Sequence, residues 1–95
     1  MKTVGLAVVA IVAVATHAIA GDGALLAQAC AGCHGQAGAG QGDVPPIAGY
    51  DREAFAKIWS EFRANERAAT IMNRIARGYG DDEVAELAAY FAELK

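Results

Sequence analysis

Hydrophobic residues recur along much of this chain with the period of an α-helix. The clearest case is the segment 52–65, where apolar side chains at i, i+3, i+4 and i+7 form one stripe: Phe55, Ile58, Trp59 and Phe62. Asp51 precedes the segment as the expected N-cap, and Asn65 suits the left-handed residue that ends a helix. The pattern predicts an amphipathic helix that packs this stripe against a core.

The end of the chain shows the same periodicity. Its apolar face consists of Val84, Leu87, Ala88 and Phe91. The acidic run 81–83 precedes this face, at the end of a helix where the dipole favours negative charge. A first helix is expected over residues 23–33 with Asp22 as its N-cap, and a short helical segment of one or two turns is expected to end at Gly78 and Gly80.

The remaining segment, 35–50, is rich in glycine and contains both prolines, which indicates a loop. No stretch of the sequence alternates between apolar and polar residues as a half-buried strand would. The sequence therefore predicts an all-α fold with three main helices, one short helix and a long loop.

Residues 1–20 have the layout of a secretory signal peptide. Lys2 is followed by a nearly unbroken apolar run, and the run ends in the small-residue pattern Ala18-Ile19-Ala20. The run is shorter than the roughly 20 apolar residues that cross a bilayer. We expect cleavage after Ala20, a single domain of residues 21–95, a periplasmic location and no membrane association after cleavage. An uncleaved N-terminal anchor is the alternative.

Charge and size narrow the possible functions. The formal net charge of −3 becomes −4 once Lys2 is removed with the leader, which argues against nucleic acid as a partner. A domain of this length is only marginally stable unaided and commonly depends on a disulfide, a metal or a cofactor. The segment 21–95 retains one histidine, one methionine and two cysteines with which to bind such a group.

The two cysteines lie in the sequence CAGCH, as Cys30, Cys33 and His34. A zinc site needs four ligands, a thioredoxin-like redox motif expects a βαβ setting, and a disulfide closing so short a loop would stabilise little. C-x-x-C-H is the attachment signature of c-type haem. In that interpretation both cysteines form thioethers to one haem and His34 ligates its iron. The secretory leader agrees, because c-type haem is attached outside the bacterial cytoplasm.

Met72 is the candidate for the sixth iron ligand. Methionine opposite histidine is the usual electron-transfer pair and raises the reduction potential. Met72 is the only methionine outside the leader, and the intervening loop and helix allow it to reach the distal face of the haem. The alternative is that Met72 fills a gap in the core. With both axial positions filled, the iron is expected to transfer electrons, and no catalytic residue is predicted.

These motifs resemble those of the class I cytochromes c across the whole of segment 21–95. CAGCHG resembles the family's attachment motif, and PPIAG resembles its P-x-[LI]-x-G stretch. In the family that proline's carbonyl accepts a hydrogen bond from the proximal imidazole, so the resemblance implies that Pro45 orients His34, with Pro46 as the alternative. It also implies the class I fold, in which three main helices and a short one wrap around one covalently attached haem c.

Two aromatic residues are further candidates for contact with the haem. Trp59 and Tyr79 carry polar tips that need partners when buried, and haem propionates would supply them. The alternative is that both are core residues whose polar tips are exposed to water. It rests equally on the combination of an apolar ring and a polar tip.

The stretch FRANERAATIMNRIARGYGDDEVAELAAYF, residues 62–91, is similar to the haem subunit of flavocytochrome c sulfide dehydrogenases. Its TIMNRIARGY resembles that family's T-I-M-x-R-I-A-K-G-Y ligand segment, and its AAYF resembles the family's closing A-x-Y-F helix, although Asn65 stands where that family usually has glycine. The resemblance implies a carrier that is not itself an enzyme and that accepts single electrons from a sulfide-oxidising flavoprotein subunit. The alternatives are a free-standing periplasmic carrier to a respiratory or photosynthetic acceptor, and a haem-based gas sensor.

Overall fold

The computed structural model describes Gly5, Ala7 and residues 22–94. The predicted signal peptide and its cleavage site fall almost entirely outside these residues. Within the described part the structure is helical, and the only β element there is an isolated bridge between Gln41 and Val44. The α-helices are α1 (Asp22–Ala27), α2 (Ala31–His34), α3 (Arg52–Arg63), α4 (Met72–Ile75) and α5 (Asp81–Ala92). The predicted all-α fold is confirmed.

The predicted first helix is present but not uniform. A 3-10 turn at Gln28–Cys30 separates α1 from α2. Ala27, Cys30 and Ala31 at the junctions all keep right-handed helical dihedral angles. The helical path therefore tightens without breaking, and it continues as far as His34.

Helix α3 begins where the sequence predicts. The Asp51 carboxylate accepts hydrogen bonds from the backbone N–H groups of Glu53 and Ala54, at 3.1 and 3.2 Å, so the predicted N-cap is confirmed. The helix ends at Arg63, two residues before the expected end. Asn65 has a φ of 59°, which is the left-handed conformation expected of the residue that stops the helix.

The core lies where α5 packs against α1 and α3. Phe91 and Leu87 are its most deeply buried large side chains, with 1% and 0% of their surfaces exposed. The Phe55 ring lies between those of Trp59 and Phe91, with both centroid distances at 5.8 Å. All four residues of the predicted α5 face are buried, whereas the α3 stripe is buried at Phe55 and Trp59 and half-buried at its other two positions.

Helix α1 lies against α5 in close contact at Gly23. A Cβ atom added to this buried glycine would lie 2.6 Å from the Glu86 carbonyl oxygen and 3.0 Å from the Tyr90 Cβ atom. Since the nearest atom belongs to the backbone, it cannot move aside as a flexible side chain would. The crossing therefore depends on a residue without a side chain.

Gly23→Ala is expected to lower the free energy of unfolding by about 1–3 kcal/mol, because the added methyl group must push the two helices apart. Gly78→Ala is the matched control, since its added Cβ atom meets nothing within 4 Å. Guanidinium titrations followed by circular dichroism would measure both variants. Equal midpoints for Gly23→Ala and the control would contradict the steric interpretation of the crossing.

In residues 22–94, no helix has both the length and the apolar character to cross a bilayer.

Candidate functional site

The imidazole of His34 has a defined orientation at the end of α2. Its side chain is buried, and Nδ1 lies 2.6 Å from the backbone carbonyl oxygen of Pro45. A carbonyl oxygen can only accept a hydrogen bond, so Nδ1 must carry the proton and donate it. In the neutral imidazole the other ring nitrogen, Nε2, then carries no proton and has a lone pair for a metal ion.

The glycine-rich loop brings Pro45 back to this ring. Gly35 adopts a φ of 83°, and an added Cβ atom there would lie 2.7 Å from the Gly40 carbonyl oxygen. The Gly40 N–H donates to the His34 carbonyl oxygen at 2.6 Å, which closes the loop directly behind the histidine. The left-handed conformation and the close approach both favour glycine over any residue with a side chain.

The two cysteines lie on the same helical path just before His34. Both are free thiols; Cys30 is half-buried and packs against the core, while Cys33 is exposed. Burial raises the pKa of the Cys30 thiol. A nucleophilic thiolate in a C-x-x-C redox site needs the opposite shift, so this geometry does not favour a thiol–disulfide module.

A structural zinc site also finds no support in the described residues. No group of three or more His, Cys, Asp or Glu side chains within residues 22–94 is arranged to hold a metal ion. Cys30, Cys33 and His34 therefore do not converge as a tetrahedral ligand set would require.

Met72 is the first residue of α4, and its half-buried side chain packs against the core. The large apolar side chains beside it are uncovered, since Ile71 is 53% and Ile75 is 38% exposed. Two free thiols, an imidazole and a thioether are the side-chain groups with which a protein can hold a covalently bound haem. The assignment of Met72 as the sixth ligand stays a prediction.

The two aromatic candidates lie together in the core. The Trp59 ring is buried, and its indole N–H donates to the Ala76 carbonyl oxygen at 3.2 Å. Tyr79 is half-buried and meets the Trp59 ring edge-on, with centroids 5.3 Å apart. The indole N–H thus has a partner within the protein, which a haem propionate would have to displace.

Sequence reasoning assigned no contact to Arg63, at the end of α3. Its guanidinium group donates to the Tyr79 carbonyl oxygen at 2.9 Å and to the Asp81 carboxylate at 2.7 Å. The acidic run 81–83 was a visible signal for a basic partner, but many arginines could have satisfied it. Only the packing of α3 against the segment after Met72 identifies the partner as Arg63.

The chain is similar in sequence to known proteins. Residues 20–95 match the cytochrome c family model. The chain is 36% identical over 72 residues to the cytochrome subunit of sulfide dehydrogenase from Chlorobaculum tepidum, an alignment covering 76% of this chain and 66% of that subunit. It is 38% identical over 69 residues to the thiosulfate dehydrogenase electron acceptor of Stutzerimonas stutzeri, covering 68% of this chain and 32% of that protein.

A further relative matches over its entire length. Cytochrome c-554(547) of Halothiobacillus neapolitanus is 32% identical over 91 residues, which cover 80% of this chain and 100% of that protein. The chain thus spans just under two thirds of the sulfide dehydrogenase subunit and about a third of the thiosulfate dehydrogenase electron acceptor.

Proposed function

Because the chain belongs to the cytochrome c family, and resembles its class I members, we propose that residues 21–95 form an exported carrier of single electrons with one haem c. Cys30 and Cys33 hold the haem through thioether bonds, and His34 and Met72 ligate its iron. The observation that carries this proposal is the 2.6 Å contact between His34 Nδ1 and the Pro45 carbonyl oxygen. This hydrogen bond leaves Nε2 free as a ligand. His34 itself directly follows Cys33, the second attachment cysteine.

The residues of the site have separable tasks in electron transfer. When bound, the haem iron supplies a one-electron couple. The Pro45 carbonyl fixes the ring of His34 and, by accepting a hydrogen bond from its Nδ1–H group, makes Nε2 a stronger electron donor. The thioether of Met72 acts in the other direction and raises the reduction potential. The electron donation by His34 and the opposite effect of the Met72 thioether together set the reduction potential at which the protein accepts and passes on its electron.

We further propose that the electron donor is a flavoprotein that oxidises sulfide. The 36% identity to a cytochrome subunit of sulfide dehydrogenase supports this partner. A second candidate, a free-standing carrier, is favoured by the alignment that covers 100% of cytochrome c-554(547). A protein of the length of this domain thus exists within the family without any additional region.

The test uses the chain exported with its own leader from cells competent for haem attachment. We expect one haem per chain, measured as the pyridine haemochrome, and we expect the haem to stay with the protein during acid–acetone extraction. Ferrous protein should resist carbon monoxide, because Met72 occupies the sixth position. A colourless protein would refute the haem assignment, and rapid binding of carbon monoxide would favour the gas sensor.

The partner is tested separately, by affinity purification of the tagged chain from its native cells. A flavin-containing protein that copurifies and reduces the haem when sulfide is added would support the subunit role. A protein purified alone, and reduced only by exchange with other carriers, would contradict that role and favour the free-standing carrier.

A further inference from the structure

Three side chains near the end of α3 hydrogen-bond to the segment that begins at Met72. The Trp59 indole reaches the Ala76 carbonyl oxygen at 3.2 Å, within the core. Farther along, Arg63 contacts both Tyr79 and Asp81, and the Asn65 side-chain oxygen accepts a hydrogen bond from the Asn73 amide at 3.1 Å. The segment 73–81 is therefore tied near both of its ends and in its middle to α3 and to Asn65, two residues beyond the end of that helix.

Arg63 makes two of the three outer contacts. Its planar guanidinium group points one nitrogen at a backbone carbonyl and another at a carboxylate, an arrangement that lysine cannot reproduce. Asp81 is 91% exposed, so the ion pair by itself contributes little. The bond to the Tyr79 carbonyl is partly buried and ties down the backbone just after α4 and its following turn.

Asn65 secures the other end. Its left-handed φ of 59° is a conformation that glycine adopts without strain, so the side chain is not required by the turn itself. Its oxygen instead binds the amide of Asn73, the residue directly after Met72. Arg63 and Asn65 thus bracket α4 from its first turn to its exit.

We propose that Arg63 and Asn65 are positioning residues that hold the Met72 segment closed and so limit how readily Met72 leaves the iron. The inference rests on the proposed function, since it takes Met72 as the sixth ligand. Withdrawal of the sulfur together with α4 moves this segment away from the core, and that movement strains or breaks the contacts at Asn73, Tyr79 and Asp81. These bonds therefore add to the free energy of opening.

Imidazole added to the ferric holoprotein measures this opening, because its apparent affinity is scaled by the fraction of molecules in which Met72 has withdrawn. Arg63→Gln should raise the apparent affinity about three- to tenfold, the range expected from one partly buried, charge-assisted bond. Asn65→Gly, which keeps the turn, should raise it by a smaller factor. Arg63→Lys should give a value between wild type and Arg63→Gln, and it serves as the second variant if Arg63→Gln does not fold.

The matched control is Lys57→Gln. It removes one positive charge from the same helix and breaks the 2.8 Å ion pair between Lys57 and Glu61. Both residues of this ion pair lie on α3, outside the Met72 segment. The imidazole affinity of this variant should equal that of wild type. An equal increase in Lys57→Gln and Arg63→Gln would show that the effect is only one of charge, and the proposal would be wrong.

Repeating the measurement in the Met72→Ala variant distinguishes an effect of Arg63 on the position of Met72 from a general loss of stability. In Met72→Ala the sixth position needs no opening, so adding Arg63→Gln should leave the imidazole affinity unchanged. If Arg63→Gln has the same effect with and without Met72, the positioning role is refuted. Wild-type protein without the far-red charge-transfer band of methionine-ligated ferric haem would refute the ligand assignment itself. With that band present, an unchanged affinity in Arg63→Gln would refute the positioning role alone.

Discussion

The double variant Cys30→Ser, Cys33→Ser is expected to carry no covalently bound haem and to lose its stable fold. Serine preserves size and hydrogen-bonding capacity but forms no thioether with a haem vinyl group. Loss of the haem removes the bound group on which a domain of this length commonly depends for stability. A domain of this size has little stability to spare, since even larger domains are stable by only about 5–15 kcal/mol.

With covalent attachment, both cysteines are expected to affect how much haem the protein retains. A tethered haem rebinds its pocket at a high effective concentration, whereas a free haem can diffuse away. Each single variant keeps one tether and is expected to retain a reduced amount of haem. Substitution of the half-buried Cys30 should be the more damaging, because Cys30 packs against the core while Cys33 is exposed.

Haem retained after acid–acetone extraction and the far-ultraviolet circular dichroism spectrum measure the two effects. Gly32→Ala is the control, since it lies between the cysteines, keeps both thiols and places its new Cβ atom in open space. It should match wild type in both measurements. One acid-stable haem per chain in the double variant would contradict thioether attachment.

The helices themselves were predictable because their signals are local. The face of α5 and the cap at Asp51 depend on residues a few positions apart, so the sequence displays them directly. The end of α3 at Arg63 and the tightened turn at Gln28–Cys30 were less visible. The position at which a helix ends and the position at which it tightens into a 3-10 turn depend on the surrounding backbone. No single residue type determines either position.

The contacts of the site divide in the same way. The order Cys30, Cys33, His34 is readable as a motif, and the family resemblance implied the partner Pro45. The bond from Trp59 to Ala76 and the two contacts of Arg63 join residues far apart in sequence. Periodicity carries no information about such pairs. This is why sequence reasoning offered Trp59 to a haem propionate, whereas the fold gives its N–H a backbone partner.

Met72→Ala is the second variant with a large expected effect. Alanine cannot ligate iron, so the far-red charge-transfer band of the ferric protein should disappear and carbon monoxide should bind the ferrous protein readily. The reduction potential should fall, because the thioether that raises it is lost. The decrease should be a substantial part of the roughly 0.8 V over which axial ligands set haem potentials.

Ile75→Ala is the matched control for this experiment. It shortens another apolar side chain of α4 that is 38% exposed, but it leaves the sulfur of Met72 in place. Its band and its potential should stay close to those of wild type, as measured by redox titration. If Met72→Ala kept the band, the sulfur would have to be a core filler and another group would ligate the iron. If Ile75→Ala lost it too, the band would depend on the packing of α4, and its loss in Met72→Ala would no longer identify the ligand.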